Sequence, residues 1–138
     1  MTERIAVGAL DTPIGVLWTA CSEQGVCKLL FPREGDRVGL DRWLALHVPT
    51  RELTTTSALL ERTFAELSDY FAGTRHAFTV PLDLRGSPFH RRVWHALTSI
   101  PYGRTVSYGS IARHLGLPKA ARAVGAACGA NPVPLVAP

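Results

Sequence analysis

The sequence has no long hydrophobic run, and it therefore predicts no membrane-spanning helix. None of its segments approaches the roughly 18 consecutive apolar residues that such a helix requires. Residues 1–5 also lack the basic segment and apolar segment that begin a secretory signal peptide. We therefore expect a cytoplasmic protein, and 138 residues are enough for one ordinary domain or two very small ones.

Cysteine is scarce, with only Cys21, Cys27 and Cys128 in the chain. Their odd number and their spacing do not form a disulfide framework, so we expect free thiols in a reducing cytosol. Cys21 and Cys27 could supply half of a metal site, but no convincing further ligands accompany them. Small apolar thiols in a hairpin are the favoured interpretation, and the sequence predicts neither a metal nor an organic cofactor.

Acidic residues are absent from the second half of the chain. Residues 1–84 hold eight Lys/Arg and all eleven Asp/Glu, which gives a net charge of −3. Residues 85–138 hold no acid and a net charge of +7, carried by Arg85, Arg91, Arg92, Arg104, Arg113, Lys119 and Arg122. A solvated face usually mixes both signs, so this half indicates a polyanionic partner, with nucleic acid as the first candidate.

Short apolar segments separated by turn residues predict a three-stranded antiparallel meander at the start of the chain. The strands are expected at residues 4–9, 16–21 and 26–31, with turns at residues 11–15 and 22–25.

The rest of the first half predicts two helices and one more strand. Residues 56–72 carry apolar side chains at spacings of three and four, and Gly73 suits the left-handed position after a helix end. A weaker pattern predicts a short helix at residues 36–47. Alternating apolar residues at 78–84 predict a half-buried strand. Residues 1–84 are therefore predicted to form a small α+β domain.

The second half, residues 85–138, predicts three helices. The first follows the capping residue Ser87, begins at Pro88 and reaches about residue 99, burying Phe89, Val93 and Leu97. After a break at residues 101–103, two further helices are expected at residues 108–115 and 118–129. Two short helices joined by a turn that contains glycine match a helix-turn-helix unit.

The last predicted helix is almost bare of long side chains. Only Lys119 and Arg122 are long and polar, whereas most recognition helices carry several side chains that reach base edges. A bare helix suits the minor groove, where shape matters more than the hydrogen-bonding pattern. Close packing between two helices is the alternative explanation of the small residues, and alanine is also the best helix former. The absence of acids favours DNA.

Several linked motifs resemble the O6-alkylguanine-DNA alkyltransferase family, whose members repair DNA. They are FHRRVW at residues 89–94, IPYG at 100–103, VSYGSIA at 106–112, AARAVG at 120–125 and NPVPLVAP at 131–138. A looser likeness in the first half includes TPIG at residues 12–15 and YFAG at 70–73. The resemblance implies a small N-terminal α+β domain followed by an incomplete helix-turn-helix (winged-helix-like) DNA-binding domain.

The resemblance also implies roles for individual residues. Tyr108 would press on the phosphate beside the damaged nucleotide, and Arg122 would fill the gap that the flipped base leaves in the stack. The minor-groove face would be lined by Ala120, Ala121, Ala123 and Gly125, with Lys119 as a further DNA contact. The alkylguanine pocket would involve Tyr108, Cys128, Asn131, Val133 and Pro134. The implied partner is double-stranded DNA, bound by a monomer with little sequence preference.

In that family the residues after such a proline are Cys-His-Arg, and the cysteine is the nucleophile that accepts the alkyl group. The chain ends at Pro138, so we expect these 138 residues to be inactive in alkyl transfer. Cys128 lacks the surrounding motif and is expected to line the pocket. A non-catalytic, alkyltransferase-like lesion-binding protein is the alternative. A sequence-specific helix-turn-helix regulator is less favoured, because the last helix lacks long base-reading side chains.

Overall fold

A computed structural model describes residues 2–100 and 104–132 of the chain. The chain divides into two compact units, Met1–Leu84 and Arg85–Pro138. The division falls where the acid-free part of the sequence begins. Across the described residues, no helix combines the length and the apolar character needed to cross a membrane.

The first unit contains the predicted antiparallel meander, which the structure confirms. Strands β1 (Glu3–Thr12), β2 (Gly15–Cys21) and β3 (Val26–Leu30) pair in sequence order. The first turn is tighter than predicted, because Thr12 pairs with Gly15 and both strands extend into the expected turn. Gly15 has a φ of +112°, a left-handed conformation that favours glycine, and this allows the chain to reverse within two residues.

A fourth strand, β4 (Arg51–Thr54), joins the sheet beside β1, and the sequence did not predict it. It runs parallel to β1 and places Leu53 opposite Ile5, so the strand order is β3-β2-β1-β4. The strand has four residues, mostly polar, and only half-buried or exposed. So short a segment carries no readable alternation of apolar and polar residues.

Helix α1 (Arg37–His47) connects β3 to β4 and confirms the short helix predicted there. The Asp36 carboxylate accepts a hydrogen bond from the Val38 N–H and so caps the first turn. The buried side of the helix packs on one face of the sheet. The core formed there consists of Ile5, Val7, Ala20, Cys27, Leu30, Leu40, Leu44 and Val48.

Helix α2 (Ala58–Phe71) packs on the opposite face of the sheet, as the register of Gly8 shows. Gly8 lies beside Phe64 and Leu60, and a Cβ at Gly8 would be 3.1 Å and 3.2 Å from these side chains. After the helix, Gly73 takes a φ of +80°, which confirms the predicted helix end. The unit therefore has three layers, with the sheet between two helices.

The strand predicted at residues 78–84 is wrong, although Val80 and Leu84 are buried as expected. The segment forms only an isolated bridge, in which the Val26 N–H donates to the Pro81 carbonyl and the Asp83 N–H donates to the Val26 carbonyl. Pro81 has no N–H to continue a ladder. The apolar side chains of this segment are therefore buried without a continuous ladder, because the described backbone pairs with β3 only at this one bridge.

Within residues 85–100 and 104–132, the second unit forms the helices α3 (Pro88–Leu97), α4 (Tyr108–His114) and α5 (Ala121–Gly129). The existence of all three agrees with the sequence. Trp94 is buried to 2% exposure, beside Val93 and Leu97, whereas Phe89 is only half-buried, contrary to expectation. The break expected at residues 101–103 lies outside the described residues.

Helix α5 begins later than predicted, at Ala121 instead of Pro118. The preceding residues form a turn in which the Ala120 N–H donates to the Leu117 carbonyl at 2.9 Å. Ala120 occupies the capping position but has no side-chain oxygen to accept from the first turn. Before this turn, Gly116 ends α4 with a φ of +77°, so the connection between the two helices is short and tight.

Candidate nucleic-acid interface

Tyr108 stands at the start of α4, where the backbone is fixed by a cap. The Ser107 hydroxyl accepts a hydrogen bond from the Ser110 N–H at 3.0 Å, and Ser107 itself is extended. This cap holds the first turn and therefore the Cα–Cβ direction of Tyr108. Tyr108 is 52% exposed, so part of its ring and its hydroxyl group are accessible to a partner.

The ring of Tyr108 packs directly on the backbone of α5 at Gly125. A Cβ at Gly125 would lie 2.9 Å from Cε2 and 3.0 Å from Cδ2 of the ring, closer than carbon atoms approach in folded proteins. The structure thus brings together two of the residues that the sequence assigned to the DNA-facing surface. The contact joins the first turn of one helix to the middle of the next.

Arg122 precedes Gly125 by three residues, so both lie on neighbouring positions of one side of α5. The Arg122 side chain is exposed, and so is Lys119 in the turn before the helix. Residues 85–138 contain no acid that could neutralise either cation. The positive end of the α5 backbone dipole lies at the same end of the helix and adds to this field.

The small residues of α5 divide between two sides of the helix. Val124 and Ala127 are fully buried and face the interior of the unit. Ala123 is exposed, and Ala121 and the preceding Ala120 are half-buried. Packing between helices therefore explains why residue 127 is small. The small side chains at positions 120, 121 and 123 leave the α5 backbone accessible to a partner.

Two contacts from α3 hold the other helices in place, and the sequence did not reveal either of them. The Trp94 indole N–H donates to the Ala127 carbonyl at 2.7 Å inside the unit. The Arg92 guanidinium donates to the Leu115 carbonyl at 2.7 Å, at the C-terminal end of α4. Because that end carries unpaired carbonyls and negative dipole charge, a cation stabilises it. One of the seven cations counted towards DNA thus has a structural role.

The predicted pocket residues are only partly described. Cys128 is half-buried near the end of α5, and burial raises the pKa of its thiol. Asn131 is also half-buried, and its N–H donates to the Cys128 carbonyl at 3.3 Å. Val133 and Pro134 lie outside the described residues. The structure therefore places Cys128 and Asn131 close together at the C-terminal end of α5.

The other two cysteines belong to the first unit and are buried in its core. Burial raises the pKa of Cys21 to about 11, against a smaller lowering by the hydrogen bond to Thr63. The Cys27 thiol donates to the Ala20 carbonyl at 3.4 Å. No group of three or more potential metal-binding side chains occurs within residues 2–100 and 104–132. The hairpin cysteines are therefore packed as small apolar side chains.

Comparison with known families identifies both units. Residues 5–84 match the model of the 6-O-methylguanine DNA methyltransferase ribonuclease-like domain. Residues 88–138 match the model of the DNA binding domain of the same family. The chain belongs to the 6-O-methylguanine DNA methyltransferase family.

One relative of this methyltransferase-family chain matches along almost its whole length, and another matches about half of it. It is 39% identical over 138 residues to the methylated-DNA–protein-cysteine methyltransferase of Salmonella typhimurium, covering 98% of this chain and 80% of the relative. The corresponding protein of Mycolicibacterium paratuberculosis is 59% identical over 73 residues, which cover 53% of this chain and 44% of that relative.

A solved structure of a Mycobacterium tuberculosis relative supports the fold assignment of the methyltransferase-family chain. The crystal structure of that bacterium's OGT protein in complex with DNA superposes with a TM-score of 0.77 at 36% identity. The superposition covers 98% of this chain and 74% of the other. This agreement supports an N-terminal sheet domain followed by a helical DNA-binding domain.

Proposed function

We propose that this protein serves DNA repair by direct transfer of an alkyl group from O6-alkylguanine in duplex DNA to a protein cysteine. A thiolate attacks the alkyl carbon, a carbon–sulfur bond forms, and the carbon–oxygen bond breaks. The electron pair stays on the guanine, which takes up a proton and is restored. The thioether is stable, so each protein molecule acts once. Family membership of both units is the observation that carries this proposal.

The partner is double-stranded DNA, and α5 approaches it from the minor groove. The protein acts as a monomer in the cytoplasm. Support comes from the exposed Ala123, the exposed cations Lys119 and Arg122, and the lack of acids in the second unit. A basic surface binds phosphates regardless of sequence. Small side chains fit the shape of the groove but form few hydrogen bonds to base edges. Such binding suits a protein that must inspect DNA of any sequence.

Tyr108 and Arg122 extrude the damaged nucleotide. An alkylated base is inaccessible in the duplex, and a base that pairs poorly needs less free energy to leave the stack. The exposed ring of Tyr108 presses on the backbone beside the lesion, and Arg122 enters the vacated stack with its flat cationic group. Cys128 and Asn131 border the pocket that receives the extruded base, together with Val133 and Pro134.

We further propose that the 138 residues do not transfer an alkyl group by themselves, because none of their cysteines is a good nucleophile. Cys21 and Cys27 are buried, and a thiol with a pKa of about 11 is roughly 0.01% thiolate at pH 7. Burial also raises the pKa of Cys128.

The poor reactivity of the described cysteines also supports a second candidate function. A protein whose thiols are all poorly reactive could bind alkylated DNA without repairing it and mark the lesion for other factors. The two functions share the DNA-binding surface of α4 and α5 and differ only in alkyl transfer. Mass spectrometry of the full-length gene product after incubation with O6-methylguanine duplex separates them, because only the repair protein gains one methyl group.

The DNA-binding part of the proposal is tested by Arg122→Ala in the 138-residue chain. Affinity for a labelled duplex is measured by fluorescence anisotropy at several salt concentrations. We expect weaker binding and a slope of log affinity against log salt that is smaller by about one unit. Arg33→Ala, which removes an exposed cation from the first unit, is the matched control and should leave the slope unchanged. Equal slopes for both variants would refute the role of Arg122.

A further inference from the structure

Gly125 is a glycine that the backbone of α5 does not require. The left-handed glycines among the described residues are Gly15, Gly35, Gly73 and Gly116, so Gly125 has a conformation open to any residue. Inside a helix, glycine is less favourable than alanine by about 1 kcal/mol. Alanine occupies positions 121, 123, 126 and 127 of the same helix. A reason outside the helix is therefore needed for a glycine at this position.

The ring of Tyr108 supplies that reason. An alanine Cβ at position 125 would come within 2.9 Å of Cε2 and 3.0 Å of Cδ2, so the ring would have to move. Gly129, which ends the same helix, has nothing within 4 Å of an added Cβ. Close approach is therefore a property of position 125 and does not apply to every glycine of α5.

This contact limits the orientations that are open to the Tyr108 ring. Tyr108 is 52% exposed, and none of the described residues forms a hydrogen bond with its hydroxyl group. The Ser107 cap fixes its backbone but not its χ1 and χ2 angles. The flat surface at Gly125 therefore selects the ring orientation before any ligand is present, and it does so three residues from Arg122 on the same helix.

We propose that Gly125 is a positioning residue that holds the Tyr108 ring in the orientation used to extrude the damaged nucleotide. The inference rests on the proposed function, which assigns extrusion to Tyr108 and Arg122. The new element is that the ring packs against a surface formed by the backbone of α5. Preorganisation of this kind matters because a small misplacement of an acting group strongly reduces its effectiveness.

The orientation of the ring is tested without DNA. The 138-residue chain is labelled with fluorotyrosine, and the Tyr108 resonance is assigned by its loss in Tyr108→Phe. We expect Gly125→Ala to shift or broaden this resonance and to leave that of Tyr70 in place. Gly129→Ala should shift neither. An unchanged Tyr108 resonance in Gly125→Ala, with circular dichroism showing a folded protein, would overturn the proposal.

The consequence for extrusion is tested with a duplex that carries 2-aminopurine beside O6-methylguanine. Extrusion unstacks the probe and raises its fluorescence. At saturating protein, where every duplex is bound, we expect Gly125→Ala to lose most of the fluorescence rise seen with the wild type and with Gly129→Ala. A full rise in Gly125→Ala would overturn the inference. Absence of a rise in the wild type would count against the proposed function, and the fluorine resonance would still decide the position of the ring.

Discussion

Replacement of Thr19 by valine should stabilise the first unit, against the usual effect of a core substitution. Thr19 lies on β2 and is 0% exposed, and its hydroxyl has no hydrogen-bond partner among the described residues. A buried hydroxyl without a partner destabilises the folded state by about 1–3 kcal/mol. Valine keeps the branched shape, replaces the hydroxyl by a methyl group and favours the strand. We therefore expect a gain of about 1 kcal/mol in the free energy of unfolding.

Thr63 provides the matched control for this prediction. It is equally buried, but its hydroxyl donates to the Leu59 carbonyl at 2.7 Å and lies 3.9 Å from the Cys21 sulfur. Thr63→Val removes these contacts and should lower the free energy of unfolding by about 1 kcal/mol. Calorimetry measures both variants, and 1 kcal/mol shifts the Tm of a unit of this size by about 4–8 °C. A Tm lowered by Thr19→Val would refute the reasoning, because the hydroxyl would then have a partner.

Two further substitutions test the contacts that hold each unit together. Trp94→Phe keeps an aromatic ring and removes the N–H that donates to the Ala127 carbonyl, so we expect a loss of about 1–3 kcal/mol in urea unfolding, and an unchanged midpoint would contradict this anchoring role. Burial alone would raise the pKa of Glu66, but hydrogen bonds from Thr79 and the charge of Arg75 outweigh it and leave the pKa below its usual value. The ionised carboxylate therefore stabilises the unit above the ordinary pKa of glutamate, roughly 4, and this contribution disappears as the pH falls through the lower pKa of the folded state. As the pH is lowered, the urea midpoint of Glu66→Gln should fall less steeply than that of the wild type. Equal falls in the two proteins would show that Glu66 does not contribute.

Local sequence patterns were sufficient for most elements of the fold. The hairpins follow from turn residues between apolar segments, α2 follows from helical spacing, and α3 follows from helical spacing after the predicted cap Ser87. β4 was missed because four largely polar residues gain their strand conformation only from pairing with β1. The strand expected at residues 78–84 was wrong because alternating burial does not require a neighbouring strand, and Pro81 prevents a continuous ladder.

The candidate site was less accessible to sequence reasoning than the fold. The resemblance pointed to Tyr108 and Gly125 separately, but their contact joins two helices and no local pattern encodes it. Arg92 was counted with the cations available to DNA, whereas the structure pairs it with the Leu115 carbonyl. Composition gives the charge of a surface but does not tell which cations already have partners inside the fold.

The central claim is that this chain binds alkylated duplex DNA through its second unit, and competition binding tests it most directly. Labelled duplex bound to the 138-residue chain is displaced by unlabelled duplexes that differ only in one O6-methylguanine or guanine. We expect displacement at a lower concentration of the O6-methylguanine duplex, because a poorly paired base is easier to extrude. Equal displacement by both duplexes would contradict lesion recognition, and absence of binding to either duplex would contradict the DNA interface itself.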